Sequence, residues 1–311
     1  MLKIGVFPAS GGLGTSIINH LLNLVPASQL VFIARRPEKL TEVSRIGVTV
    51  RKADYDHSET LDNAFTGVDV LMLISYASVE IEYRFEAHKL AIKAAHRSGV
   101  SHIFYSSLAF GGNCKRTSVC HVMGAHLATE EYLATELPRP MTYTAIREGL
   151  YSDLFSVYLA MFDPRNPVEE ITIPHSGSGP GIAWAKQDEL GEATAKLIVS
   201  YTEDPETFRF LNQVLLLSGP EVLSLEESVQ ILGRAVGRHI KIREISADEY
   251  ASLPQVRDAF TYHGVNLAKE YTTCWEAFRR GETSVVSPLL GQILGREPER
   301  FETTVRGMLD G

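Results

Sequence analysis

Short β-branched runs alternate with helical stretches through the first half of the chain. Apolar segments at 2–7 (LKIGVF), 30–34 (LVFIA), 48–52, 68–75 (VDVLMLIS), 102–107 (HIFYSS) and 141–147 (MTYTAIR) read as strands. Between them Ile17, Ile18, Leu21 and Leu22 recur at helical spacing after Gly14, and Leu90, Ile92, Ala94 and Ala95 mark a longer helix ending before Gly99. This alternation predicts a parallel sheet covered by helices on both faces. The order βαβαβ is that of a doubly wound, dinucleotide-binding sheet.

Past residue 150 the rhythm breaks at Pro164, Pro167, Pro174 and the run Gly177-Ser178-Gly179-Pro180-Gly181. A helix at 188–201 and a strand at 214–218 return the chain to the sheet. Ser224-Leu225-Glu226-Glu227 and Ser246-Ala247-Asp248-Glu249 are Ser-x-x-Glu capping boxes that start two later helices. The expected class is α/β: a Rossmann-type doubly wound parallel sheet over 1–150, completed by about 182–218. A smaller, mostly helical C-terminal substrate lobe is expected from 151–181 and 219–311.

Composition narrows the function classes. The chain has 311 residues, 44% of them hydrophobic and 22% charged, as in ordinary globular proteins. The net charge of −8, with scattered Lys and Arg, argues against nucleic acid as a partner. No apolar run approaches the ~18 residues that span a bilayer, and no cleavable signal precedes the first strand, so the expectation is a cytoplasmic protein without a membrane partner. Cys114, Cys120 and Cys274 are an odd number without CxxC spacing, which fits a reducing compartment. Cys114 and Cys120 with His121 and His126 match no structural zinc pattern, and no metal is expected.

The candidate chemistry begins at the first βα turn, Pro8-Ala9-Ser10-Gly11-Gly12-Leu13-Gly14. Glycines there let backbone N–H groups approach a pyrophosphate, and the helix N-terminus adds positive potential. Gly11 and Gly14 match a G-x-x-G-x-x-G spacing, while Pro8 stands at the first glycine position. Ser10, Gly11, Gly12, Leu13 and Gly14 are the cradle candidates. An NAD-specific site carries an Asp or Glu at the end of the second strand. This chain has Arg35 and Arg36 there, with Lys39 one turn on, which suits the 2′-phosphate of NADP(H). Asp54 and Tyr55 after the third strand can meet adenine, and Ser75 and Tyr76 close the fourth at the edge where cofactors lie. None of the 12 tyrosines has a lysine four residues later; Tyr143 with Arg147 is the nearest approach.

The chain resembles the NmrA-like, atypical short-chain dehydrogenase/reductase family, nearest the branch of NAD(P)H:quinone reductases and triphenylmethane reductases. The likeness is carried by the PASGGLG loop, Ala34–Lys39, Ala53–Asp56, His126–Glu130, Arg147–Asp153, Gly219–Ser224 and Arg280–Glu282, and so covers essentially the whole chain. The resemblance implies a Rossmann domain with a small substrate lobe, NADP(H) at the glycine loop, and the basic strand end on the 2′-phosphate. Many members keep a lysine where this chain has His126, a candidate for the nicotinamide ribose or for proton movement. It also implies small residues near the nicotinamide, here Ser106 and Ser107, and a substrate contact from Tyr151, with Arg147 holding the turn between lobes.

The expected activity is an NADPH-dependent reductase acting on a small-molecule acceptor. Reduction of a simple ketone gains ~10²–10⁴-fold from a placed general acid. A quinone, a cationic arylmethane or an iminium spreads the incoming charge itself and dispenses with the Tyr/Lys pair. Two competing readings are a non-catalytic NADP(H) sensor that binds a protein partner and an NADP(H)-using natural-product tailoring enzyme. A homodimer is compatible with each.

Overall fold

The computed structural model describes residues 1–310. In chain order it runs β1 (Ile4–Phe7), α1 (Gly12–Leu24), β2 (Leu30–Ala34), α2 (Thr41–Arg45), β3 (Thr49–Lys52), β4 (Val70–Ile74), α3 (Ile81–Arg97), β5 (His102–Leu108), α4 (Met123–Thr135) and β6 (Thr142–Glu148). Beyond these come β7 (Glu170–Ile173), α5 (Gln187–Glu203), β8 (Gln213–Leu217), α6 (Leu225–Val236), β9 (Lys241–Glu244) and α7 (Ala247–Ser252). Seven strands form one parallel sheet in the order β3-β2-β1-β4-β5-β6-β8. β1 and β2 are buried along their whole length and β4 along nearly all of it, which is why they read as unbroken apolar runs rather than as alternating ones.

One face of the sheet is covered by α1 and α5, through Ile17, Ile18 and Leu21 against Leu190, Ala193 and Leu197. The other is covered by α3 and α4 through Ala91, Ile92, Ala95 and Leu133. Leu90, read above as part of the apolar stripe, is 41% exposed because it falls off the arc that Ala87, Ala91 and Ala94 turn to the sheet. A third core, with Trp184, Tyr250, Trp275 and Phe278, lies in the C-terminal region. β7 and β9 pair there as a separate parallel ribbon.

Both capping boxes form. Ser224 Oγ accepts from the Glu227 N–H at 3.1 Å and Ser246 Oγ from the Glu249 N–H at 3.2 Å, while each glutamate accepts from its serine's N–H at 2.8 Å. Among the described residues no helix is long and apolar enough to cross a membrane.

Arg147 of β6 is fully buried and pairs bidentately with Glu130 of α4, Nε at 2.9 Å and Nη2 at 2.7 Å. Its Nη1 and Nη2 donate to the Phe110 and Lys115 carbonyls at 3.0 and 2.9 Å, clamping the segment after β5. A buried ion is costly once its partner is removed. Glu130→Ala is therefore expected to destabilise the fold by about 3–5 kcal/mol, read as a lowered midpoint in urea; a loss below about 1 kcal/mol would refute the clamp.

Candidate active site

The site starts at the turn between β1 and α1. Gly11 has φ +135°, a conformation that residues with a Cβ rarely adopt. A Cβ on Gly14 would lie 2.5 Å from the Pro8 carbonyl oxygen, and one on Gly12 the same distance from Gln187 Oε1. α1 therefore crosses the loop as close as backbone allows. Its first intrahelical bond is Thr15 N–H to the Gly11 carbonyl, no side chain caps it, and no acidic residue sits in its first turn. The Gly11 N–H donates to Thr15 Oγ1 at 3.4 Å, and the amides of Gly12, Leu13 and Gly14 face outward, able to meet an anion with the helix dipole behind them. Pro8 leaves this cradle intact: the Ala9 N–H ties the loop to the Ile33 carbonyl at 2.8 Å, and α1 begins at Gly12.

The loop opens onto a cavity of about 400 Å3 walled by Arg35, Asp54, Tyr55, Ser75, Tyr76, Tyr151 and Gln187. A hollow of about 540 Å3 adjoins it, shares Ser10, Gly11 and Arg35, and adds Arg36 and Lys39. Arg35, Arg36 and Lys39 are spaced by the end of β2 and the short turn that follows, so three cations face one hollow at the mouth of the glycine loop. The donor set fits a dinucleotide carrying an extra phosphate.

Ser75, at the end of β4, is the hub of a buried polar network. Its Oγ accepts from Arg84 Nε at 3.1 Å and Nη2 at 2.8 Å, and lies 3.1 Å from His88 Nε2. Arg84 Nη2 also donates to His126 Nε2 at 2.8 Å, so His126 carries its proton on Nδ1, 3.0 Å from the Tyr105 hydroxyl. His88 Nε2 accepts the Tyr76 N–H at 2.9 Å, leaving its Nδ1–H for Thr129 Oγ1, also at 2.9 Å. Burial, and then the Arg84 charge, hold both imidazoles well below their ordinary pKa, so both are neutral. Burial pushes the Tyr105 phenol up to about 12.

The sequence-predicted residues fall into three groups. Ser10 to Gly14, Arg35, Asp54, Tyr55, Ser75, Tyr76 and Tyr151 share the cavity wall, and Arg36 and Lys39 line the adjoining hollow. His126 lies two hydrogen bonds behind the Ser75 wall, through Arg84, with both ring nitrogens engaged, and Ser107 donates its hydroxyl to Glu130 at 2.5 Å. The Tyr55 ring lies 4.6 Å from that of Phe7 and its hydroxyl donates to the Ile74 carbonyl at 2.8 Å. The Tyr76 hydroxyl donates to Asp56 at 2.9 Å. Sequence reasoning missed Arg84, His88 and Gln187. Arg84 and His88 stand four apart on the inner face of α3, and a polar pair at that spacing among Ala87, Ala91 and Ala94 was the available signal.

Residues 2–280 match the NmrA-like family. An NmrA-like family domain-containing oxidoreductase of Aspergillus flavus is 30% identical over 305 residues, 97% of this chain and 93% of that protein. Among solved structures, an NADPH-dependent quinone oxidoreductase of Escherichia coli complexed with NADPH is 26% identical with a TM-score of 0.80, covering 99% of this chain and 100% of that one. A Citrobacter sp. triphenylmethane reductase complexed with NADP(H) is 27% identical with a TM-score of 0.75, covering 98% and 99%.

Glu148, the last residue of β6, is 1% exposed; its Oε1 accepts from Thr194 at 2.9 Å and its Oε2 has no partner. Burial raises its pKa from an ordinary 4.5 to about 8. The folded chain then keeps a proton that the unfolded chain releases, so this contribution to stability is present below pH 4.5 and lost as pH rises through 8. Glu148→Gln cannot ionise. Its stability relative to wild type is expected to increase across that window, by at most about 1.4 kcal/mol per pH unit, in urea titrations at a series of pH values. A difference independent of pH would overturn the assignment.

Proposed function

The chain belongs to the NmrA-like family, and on that premise we propose that it reduces an acceptor able to delocalise incoming charge, of the quinone, cationic or iminium type. It is an NADP-dependent oxidoreductase of the quinone-reductase kind. The observation that carries the cofactor reading is the glycine cradle opening directly onto Arg35, Arg36 and Lys39, with no acidic residue at the end of β2.

Bound NADPH supplies hydride from its nicotinamide. The free amides of α1 hold the pyrophosphate, and the guanidinium groups of Arg35 and Arg36 take the 2′-phosphate with charge-assisted hydrogen bonds. Tyr55 and Asp54 face the adenine. Tyr151 and Gln187 close the opposite side of the cavity, where Tyr151 contacts the acceptor and helps exclude water. His126 is a positioning residue in this reading: neutral, and with both nitrogens engaged, it orients Arg84 and Tyr105 and carries no proton to substrate. With no Tyr-x-x-x-Lys pair in the sequence, the final proton comes from solvent, which suits an acceptor whose reduced form is a stabilised anion or a neutral molecule.

Calorimetric titration with NADPH and NADH tests the reading. NADPH is expected to bind tighter by about 2 kcal/mol, or some thirtyfold, with most of that preference lost in Arg35→Ala. Equal affinities in the wild type would remove the 2′-phosphate site. Vigorous turnover of plain ketones, with none of quinoid or cationic acceptors, would remove the proposed acceptor class.

A further inference from the structure

Two arginines are buried at the carboxyl ends of the strands, and they are neutralised differently. Arg147 has Glu130 as its counter-ion. Arg84 is 6% exposed, and among the described residues it forms no ion pair with a carboxylate. Its N–H groups are met only by neutral acceptors: Ser75 Oγ, the Ser78 carbonyl at 2.9 Å and His126 Nε2. The ionisable groups around it are Tyr105, Tyr55, Tyr262, Tyr151, His88 and His126, all neutral at physiological pH. A lysine in such a place would shed its proton, but a guanidinium cannot. A buried charge is ordinarily paired within the protein; this one makes four hydrogen bonds and is electrostatically unbalanced.

The imbalance is directed at the cavity. Ser75, which takes two of the Arg84 hydrogen bonds, lies in the cavity wall, as do Tyr55 and Tyr151 beside the guanidinium. In this low-dielectric setting the charge is poorly screened. We propose that Arg84 selects the acceptor: it is the counter-charge for a molecule that enters neutral and becomes an anion, such as a quinone, and it discriminates against acceptors that enter as cations. The inference rests on the reductase reading above and narrows its three acceptor types to one.

The charge balance is simple. Hydride, two electrons with one proton, passes from the cofactor to a neutral quinone and leaves a hydroquinone monoanion, which takes a proton from water. Negative charge therefore develops during the step and is stabilised by a fixed cation placed there beforehand. A cationic triarylmethane instead brings positive charge towards Arg84 and ends neutral, so it gains nothing in the transition state and is repelled on binding. Arg84 is a specificity residue acting through Ser75, and need not touch the acceptor.

The test compares wild type with Arg84→Gln and Arg84→Met, which remove the charge. On each preparation kcat/KM is measured for 2-methyl-1,4-naphthoquinone and for the cationic dye crystal violet, and their ratio is independent of the fraction folded. Both neutral variants are expected to lower the quinone-to-dye ratio at least tenfold. A second readout needs no turnover: calorimetric affinities for NADPH and NADP⁺, whose oxidised ring is cationic. Loss of Arg84 is expected to shift the affinity ratio at least threefold towards NADP⁺. Ratios within twofold of wild type in both measurements would make Arg84 a structural residue and overturn the proposal. A wild type that binds no NADPH would overturn the reductase reading itself, a result that these ratios cannot mimic.

Discussion

Everything in the site follows from the reversal of strand order at β1. The chain winds outward through β2 and β3 on one side, then crosses to β4, β5 and β6 on the other. The loops after β1 and β4 therefore depart in opposite directions and leave a crevice at the carboxyl edge, where a dinucleotide fits. One steric condition keeps the crevice usable: α1 must leave β1 closely enough for its first amides to face the opening. Gly14 meets that condition against the Pro8 carbonyl, so a proline at the first loop position is tolerated as long as the helix starts where it does.

Around that crevice the protein distributes charge in three ways. Arg35, Arg36 and Lys39 stay exposed at the end of β2, where water solvates them. Arg147 is fully withdrawn from water and is paired and clamped, as a structural ion must be. Arg84 is withdrawn and, among the described residues, left without a counter-ion, while Glu148 is withdrawn and kept protonated. The last two resemble each other physically, since both trade stability for a defined electrostatic state next to the cavity. They differ because a carboxyl group can discharge itself by taking up a proton, whereas a guanidinium cannot.

Much of the architecture was legible along the chain because it depends on local rules. Unbroken apolar runs marked strands buried on both faces, helical periodicity marked α1, and the two Ser-x-x-Glu boxes marked the starts of α6 and α7 to the residue. The glycine loop and the basic strand end were legible for the same reason: they act through backbone geometry and formal charge within some thirty residues. His126 shows where this reading stops. The resemblance offered it for the nicotinamide ribose or for proton movement, while its protonation state is set by burial and by Arg84, 42 residues earlier.

The sequence by itself determined the order of the sheet's strands and helices, the glycine turn after β1, the cations at the end of β2 and the missing Tyr/Lys pair. These are properties of residue types at short spacing. Only the tertiary structure decided which charges are balanced. Glu130 reaches Arg147 through the packing of α4 on β6, and Arg84 is left with Ser75, Ser78 and His126, with no carboxylate among the described residues in ion-pair contact with it. Electrostatic energy depends on distance through a low-dielectric interior and not on separation along the chain, so it becomes readable only once the chain is folded.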